Sequence, residues 1–351
     1  MTTIQPPPSR GMVIFSVSFY ITTALIMVLV NKWVLTSFAL PFTLLWFQVF
    51  LAIIFLHISS LFGLFILPVI QKEICIGLLP LIIINVLGLS FNTLCLQYVD
   101  ASFYQVARAL VLPFTVLFSF IFLKQKSSEL VLLACLIVCI GFIVGVSSER
   151  LTVTMLGTLF GVLSSISTAL HAIVIKKSLE VVKGNTMELV YYNNLLSIFA
   201  FTPLIFLFNE QMEVSDLLIS KSNPSFRTFV IGIFITGFFG FLINIAGFLQ
   251  IKVTSPVTHM ISSAFRGVIQ TVFGALIFGD ILTIGRVEGI ALILAGSCFY
   301  TWIKDRESKK ISATTVTTTS TTGDVRTYDK LENGEIEDDN RTESMTGINE
   351  K

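Results

Sequence analysis

No Asp or Glu lies in the middle of any long apolar run of this chain. Without a carboxylate at membrane depth there is no acidic relay to carry protons through a bilayer, which disfavours proton coupling. Charge is scarce altogether: 13% of the 351 residues are charged and the net charge is +1, a balance that argues against nucleic acid as a partner. The five cysteines (Cys75, Cys95, Cys135, Cys139 and Cys298) fall inside apolar runs, without the paired loop spacing of a disulfide framework, and read as packing residues. The three histidines, His57, His171 and His259, are scattered and suggest no metal site, so neither metal nor cofactor is expected. A P-loop or other nucleotide-hydrolysing signature is also missing, which disfavours a primary pump.

Apolar residues are what the chain has in excess: 54% are hydrophobic and 32 are Phe. A soluble domain could not bury that much apolar surface, whereas a membrane protein with many spans can leave it facing lipid. Crossing a bilayer takes ~20 apolar residues. Segments at 12–31, 41–62, 75–97, 101–123, 130–147, 153–175, 188–208, 227–250, 256–279 and 284–303 qualify. The expected fold is therefore an all-α integral membrane protein of ten transmembrane helices. The first run ends in Asn-Lys-Trp rather than at a small-residue cleavage site, and reads as a retained helix. Most connections are short and polar; the longest, 209–227, follows the seventh helix. The expected layout is an N-terminal segment 1–11, a transporter domain 12–303 and a Thr-rich, acidic tail 304–351 that lacks the apolar residues to fold.

The domain divides into halves at about 12–147 and 153–303. In each, a polar turn (98–102, 253–256) precedes an Arg-bearing helix, a short charged loop and a Gly-rich final helix. Five spans per half require opposite orientations in the membrane, the inverted-repeat plan of alternating access with the site at the repeat interface. Placing both termini in the cytosol puts Arg10, Lys72, Lys124, Lys126, Lys176, Lys177, Lys183, Lys252, Lys304, Arg306, Lys309 and Lys310 on that side. Only Lys32, Arg150, Lys221, Arg227 and Arg286 then face the other way, as the positive-inside rule prefers.

Two cations stand inside the apolar runs: Arg108 in the fourth and Arg266 about ten residues into the ninth. A cation at the bilayer centre costs at least ~2.5 kcal/mol and normally faces a protein interior or a water-filled cavity. With no acidic residue at that depth, an anion from outside is the natural partner, and a guanidinium can grip phosphate bidentately. Tyr104 and Gln105 precede Arg108, which lies near the outer end of its helix. At the start of the seventh helix stands Tyr191-Tyr192-Asn193-Asn194. Adjacent amides on a helix point about 100° apart. Their donor pair and acceptor suit a purine edge, and Tyr offers a stacking face; an interfacial aromatic belt is the alternative. Asn31, Lys32, Asn85, Asn92, Asn244 and Gln270 read as helix–helix bonding groups, and His171 and His259 as structural.

Asn92-Thr-Leu-Cys-Leu-Gln-Tyr-Val, Ser102-Phe-Tyr-Gln-Val-Ala-Arg108, Tyr191-Tyr-Asn-Asn194 and Leu249-Gln-Ile-Lys-Val-Thr-Ser-Pro-Val-Thr-His259 carry a family resemblance. Over most of 12–303 the chain resembles nucleotide-sugar transporters of the drug/metabolite transporter superfamily. The resemblance implies a ten-helix fold and exchange of a cytosolic nucleotide sugar, GDP-fucose or another GDP-sugar, for luminal GMP. It implies the Golgi membrane, with the endoplasmic reticulum as alternative. In the related GDP-mannose carriers an FYNN motif contacts guanine, matched here by 191–194 with Tyr191 in place of Phe. A second motif ends in a nucleotide-binding Lys; here Ser262-Ser263-Ala-Phe-Arg266-Gly carries Arg instead. The candidate substrate-binding set is therefore Tyr191, Tyr192, Asn193, Asn194, Arg266, Ser262, Ser263, Arg108, Tyr104 and His259. A homodimer is left open. A UDP-sugar or phosphorylated-metabolite exchanger is the alternative within the superfamily. An integral-membrane transferase would need a nucleophile, base or acidic metal site that the sequence does not offer.

Overall fold

A computed structural model describes residues 10–64, 66–124, 126–148, 155–219, 224–253 and 256–321. All regular structure among them is helical: α1 (Arg10–Ser37), α2 (Pro41–Leu61), α3 (Lys72–Gly77), α4 (Leu79–Tyr98), α5 (Tyr104–Ala107), α6 (Val111–Leu123), α7 (Glu129–Ser147), α8 (Met155–Val181), α9 (Thr186–Leu207), α10 (Glu210–Ile219), α11 (Pro224–Val253), α12 (Pro256–Phe278) and α13 (Ile284–Thr321). Nine stretches of the described residues are long and apolar enough to cross a membrane, α5 and α6 counting as one (Tyr104–Leu123). The shorter apolar stretch Phe265–Phe278 of α12 completes a ten-helix membrane fold. On α7 the two-sided burial is plain. Val131, Ala134, Val138 and Gly141 face protein, while Leu132, Leu136, Ile140 and Ile143 form an equally apolar outer stripe. A helix apolar all round is a helix with lipid on its outer side.

Four details depart from the sequence reading. The third span begins as a separate turn, α3, because Pro80 sits at the start of α4, where a missing N–H costs nothing. The fourth span is interrupted at 108–110. Pro113 has no N–H to offer the Ala109 carbonyl, and the chain tightens through Ala109 N to Val106 O (3.0 Å) and Val111 N to Arg108 O (3.3 Å). The long loop after the seventh span contains a helix, α10, whose Val214 and Leu217 pack on the main core. Finally, α13 continues to Thr321 although the tail was expected to begin unfolded at 304: nothing between Ser297 and Thr321 is Gly or Pro. That continuation belongs to a separate unit, Glu307–Lys351. Residues 322–351 lie outside the described residues.

α10 also finishes α2. Leu40 and Pro41 open that helix and offer no side-chain acceptor. Glu210 supplies it, accepting from Phe42 N at 3.0 Å and Thr43 N at 2.6 Å. A carboxylate at a helix N-terminus satisfies orphan donors and complements the helix dipole.

Helix neighbours repeat when the halves are exchanged. α1 packs on α11 as α8 packs on α4; α2 packs on α11 as α9 packs on α4; and α6 lies on α8 as α12 lies on α1. At the ends of the two halves, α7 and α13 meet backbone to backbone. A Cβ on Gly141 would stand 2.9 Å from the Gly289 carbonyl oxygen, and one on Gly289 would stand 2.7 Å from Gly145 Cα.

Candidate functional site

A cavity of about 420 Å³ lies between α1, α2, α4, α8, α9 and α11. Aliphatic side chains make most of its wall, and six polar side chains line it: Gln48, Asn85, His171, Thr186, Asn193 and Asn194. Leu81, Leu179 and Thr186 place one end of it where α4 and α9 begin and α8 finishes. Gln48 Nε2 is spent on Asn31 Oδ1 at 2.8 Å, and Asn85 Nδ2 on Ser197 Oγ at 3.5 Å. Asn194 donates to the Val190 carbonyl of its own helix at 2.9 Å. Asn193 is different: its Oδ1 is buried without a hydrogen-bond partner. An orphaned buried acceptor costs ~1–3 kcal/mol, so a donor arriving with a ligand has something to gain there.

The tyrosines of the same motif are placed otherwise. Tyr192 is fully buried, donates to the Val69 carbonyl and accepts from Gln71 N, both at 2.9 Å. Its hydroxyl ties the loop before α3 to α9. Tyr191 packs with Ile53 and Leu56, 5.7 Å from the His57 ring. Neither tyrosine lines the cavity, in contrast to the stacking role their sequence position suggested.

A second polar group lies deeper, beyond the cavity wall. Asn92 follows Asn85 on α4 and Ser164 precedes His171 on α8, each by two turns, or about 10.5 Å of helix. There the Tyr104 hydroxyl donates to Asn92 Oδ1, and Ser164 Oγ donates to the same oxygen at 3.4 Å. Arg108 Nη1 donates to the Tyr104 hydroxyl at 3.1 Å, its guanidinium 5.3 Å from the ring centre. The break in the fourth span releases Arg108 from a continuous helix at this point. From α12, Arg266 Nη1 donates to Gln270 Oε1 at 3.2 Å, and Gln270 Nε2 reaches the Ala101 carbonyl at 3.0 Å. A Cβ on Gly267 would stand 2.6 Å from the end of the Gln105 side chain, which marks how near α12 lies to α5.

Arg108, Tyr104 and Tyr20 all act on the charge of Arg266. The two cations called from sequence, one in each half, thus converge. Neither has a carboxylate partner among the described residues, and the Nε of each is buried without an acceptor. Two half-buried guanidinium groups so placed have the charge and the donors that an oxyanion with several acceptors would satisfy. Of the remaining candidates, Ser262 accepts from Gln250 Nε2 at 2.7 Å and so joins α12 to α11, and Ser263 is half-buried. The His259 side chain lies outside the described residues. Gln48 was not singled out from sequence, and His171 and Asn85 were read as structural; a polar side chain in an otherwise apolar run was the available signal.

The family model of the triose-phosphate transporter family matches residues 11–301. The chain is 33% identical over 303 residues to GDP-fucose transporter 1 of Dictyostelium discoideum, covering 84% of this chain and 81% of that one. It is 35% identical over 312 residues to the GDP-fucose transporter of Caenorhabditis elegans (86% and 85%), and 32% identical over 309 residues to the Golgi GDP-fucose transporter of Drosophila melanogaster (84% and 90%). A solved crystal structure superposes with a TM-score of 0.51 at 16% identity, covering 85% of this chain and 99% of that one, a likeness of fold.

Proposed function

The chain belongs to the triose-phosphate transporter family, and from that premise we propose that it carries a GDP-sugar, GDP-fucose foremost, into the Golgi lumen in exchange for GMP. It is a multi-pass membrane transporter rather than an enzyme. The observation that carries the proposal is the pair of cations without a carboxylate partner among the described residues, Arg108 and Arg266, behind a cavity edged by Asn193 and Asn194. A nucleotide fits that order: phosphates on the guanidinium groups, the base edge on the amides nearer the mouth. Both exchange partners share the base and at least one phosphate, so one site serves each in turn. We take the end of the cavity at the α8–α9 connection as its mouth; with the basic residues concentrated on that side, the reading puts the mouth and both termini in the cytosol.

The relatives named for GDP-fucose support the substrate class. The buried cations alone would equally accept a UDP-sugar or a smaller phosphorylated metabolite, and the asparagine pair favours guanine over both. Proteoliposomes loaded with GMP and offered a panel of labelled GDP-sugars, UDP-sugars and sugar phosphates test this. Uptake of GDP-fucose that depends on internal GMP is the expected result. Exchange confined to UDP-sugars or simple sugar phosphates would overturn it.

A further inference from the structure

We infer that Arg286, with Asp100, Ser102 and Asp280, is the lock that closes the translocation path at the end opposite the cavity mouth. Arg286 opens the last span, yet its side chain is 0% exposed. Its Nη2 pairs with Asp100 Oδ2 at 3.1 Å, its Nη1 donates to Ser102 Oγ, and its guanidinium lies 5.6 Å from the Phe103 ring centre. From the loop before α13, Asp280 Oδ2 accepts from Ser102 N at 2.8 Å. The short segment between α4 and α5 is thereby fastened to the segment between α12 and α13 on both its side-chain and its main-chain groups.

α1 joins the same cluster. Lys32 Nζ donates to the carbonyls of Leu96 (2.9 Å) and Val99 (2.6 Å), capping the end of α4, and both Asp100 and Asp280 act on its charge. Two cations and two carboxylates thus balance where three parts of the chain meet. Counting spans fixes which side this is. The connections from third to fourth and from ninth to tenth span lie on one membrane face, and the α8–α9 connection, from sixth to seventh, lies on the other. A path entered at the α8–α9 end can be left only by parting Asp100–Ser102 from Arg286 and Asp280. Breaking a buried pair by removing one partner strands the other's charge, so these contacts set how often that end opens.

Cys95 reports on the lock. It is 0% exposed, one turn before Val99 on α4, and the other four cysteines can be replaced. In oriented vesicles, a membrane-impermeant thiol reagent is applied on the α4–α5 side. Cys95 should be protected in the otherwise cysteine-free protein and labelled at least roughly tenfold faster in R286Q. The double variant D100R/R286D should regain protection, which a merely space-filling role would not restore. Wild-type labelling in folded R286Q, or faster labelling only from the opposite side, would overturn the assignment. The inference rests on the transporter reading but not on which anion is carried. The labelling needs no substrate, so its failure is distinguishable from failure of the GDP-sugar proposal.

Discussion

Arg108 donates to the Tyr104 hydroxyl at 3.1 Å, and that hydroxyl is itself held by Asn92, so a cation in the broken fourth span is aimed by a residue of α4. Replacing Tyr104 by Phe keeps the ring beneath the guanidinium and removes only this link. A hydrogen bond to a charged group is worth ~1.5–3 kcal/mol. Tyr104→Phe should therefore weaken GMP competition roughly ten- to hundredfold, with normal amounts of folded protein. Unchanged competition would make the tyrosine a packing residue.

Arg266→Ala should abolish exchange in proteoliposomes while the protein remains folded in the membrane, and Arg266→Lys should retain part of it. The lysine keeps the charge but loses the bidentate fork. Normal exchange by the alanine variant would show that Arg266 is structural.

Asn193→Ala and Asn194→Ala should each weaken GMP and GDP-sugar competition together, because both ligands present the same base. The expected loss is ~1–3 kcal/mol, roughly ten- to hundredfold in affinity. Should GDP competition survive both changes while discrimination among sugars collapses, the amides read the sugar instead.

Glu210→Ala removes the cap of α2 and should lower the thermal midpoint, the cost being ~0.5–2 kcal/mol. Burial pushes the Glu210 carboxyl above its ordinary 4.5, although the amides of Phe42 and Thr43 pull the other way. A carboxyl raised on folding contributes stability that is present below 4.5 and is lost as pH rises through the raised value. The advantage of the wild-type chain over Glu210→Ala should narrow over that rise, as thermal unfolding at a series of pH values would register.

An epitope on the tail should be reachable with only the plasma membrane permeabilised, and Asn340, which opens an Asn-Arg-Thr glycosylation sequon in that tail, should stay bare. Glycosylation at Asn340 in the native protein would invert the topology.

The spans were legible because lipid imposes both length and composition on a helix, and little else produces runs such as 130–147. The amphipathic α10 was not, since its core contacts come from two residues, Val214 and Leu217, inside an acidic segment. Its acidic first turn was the missed signal. The break at Arg108 was announced by Pro113, which the apolar run around it concealed. At the site, sequence located both cations and both amides but not their grouping. That Arg108 and Arg266 meet depends on how α5 and α12 pack, which no local spacing encodes. Tyr192 shows the converse. Asn193 and Asn194, which follow it in sequence, line the cavity, but its hydroxyl is consumed by Val69 and Gln71.

The glycine seam between α7 and α13 limits how such a molecule can move. With Gly141 and Gly289 in backbone contact, the closing helix of one half and the closing helix of the other behave as a single strut. Two halves swinging as separate blocks would have to prise that strut apart and lose the close packing that holds helices together in lipid. The strut therefore acts as a keel, and an end opens when helices beside it move, the α4–α5 segment drawing away from Arg286 at the strut's own end.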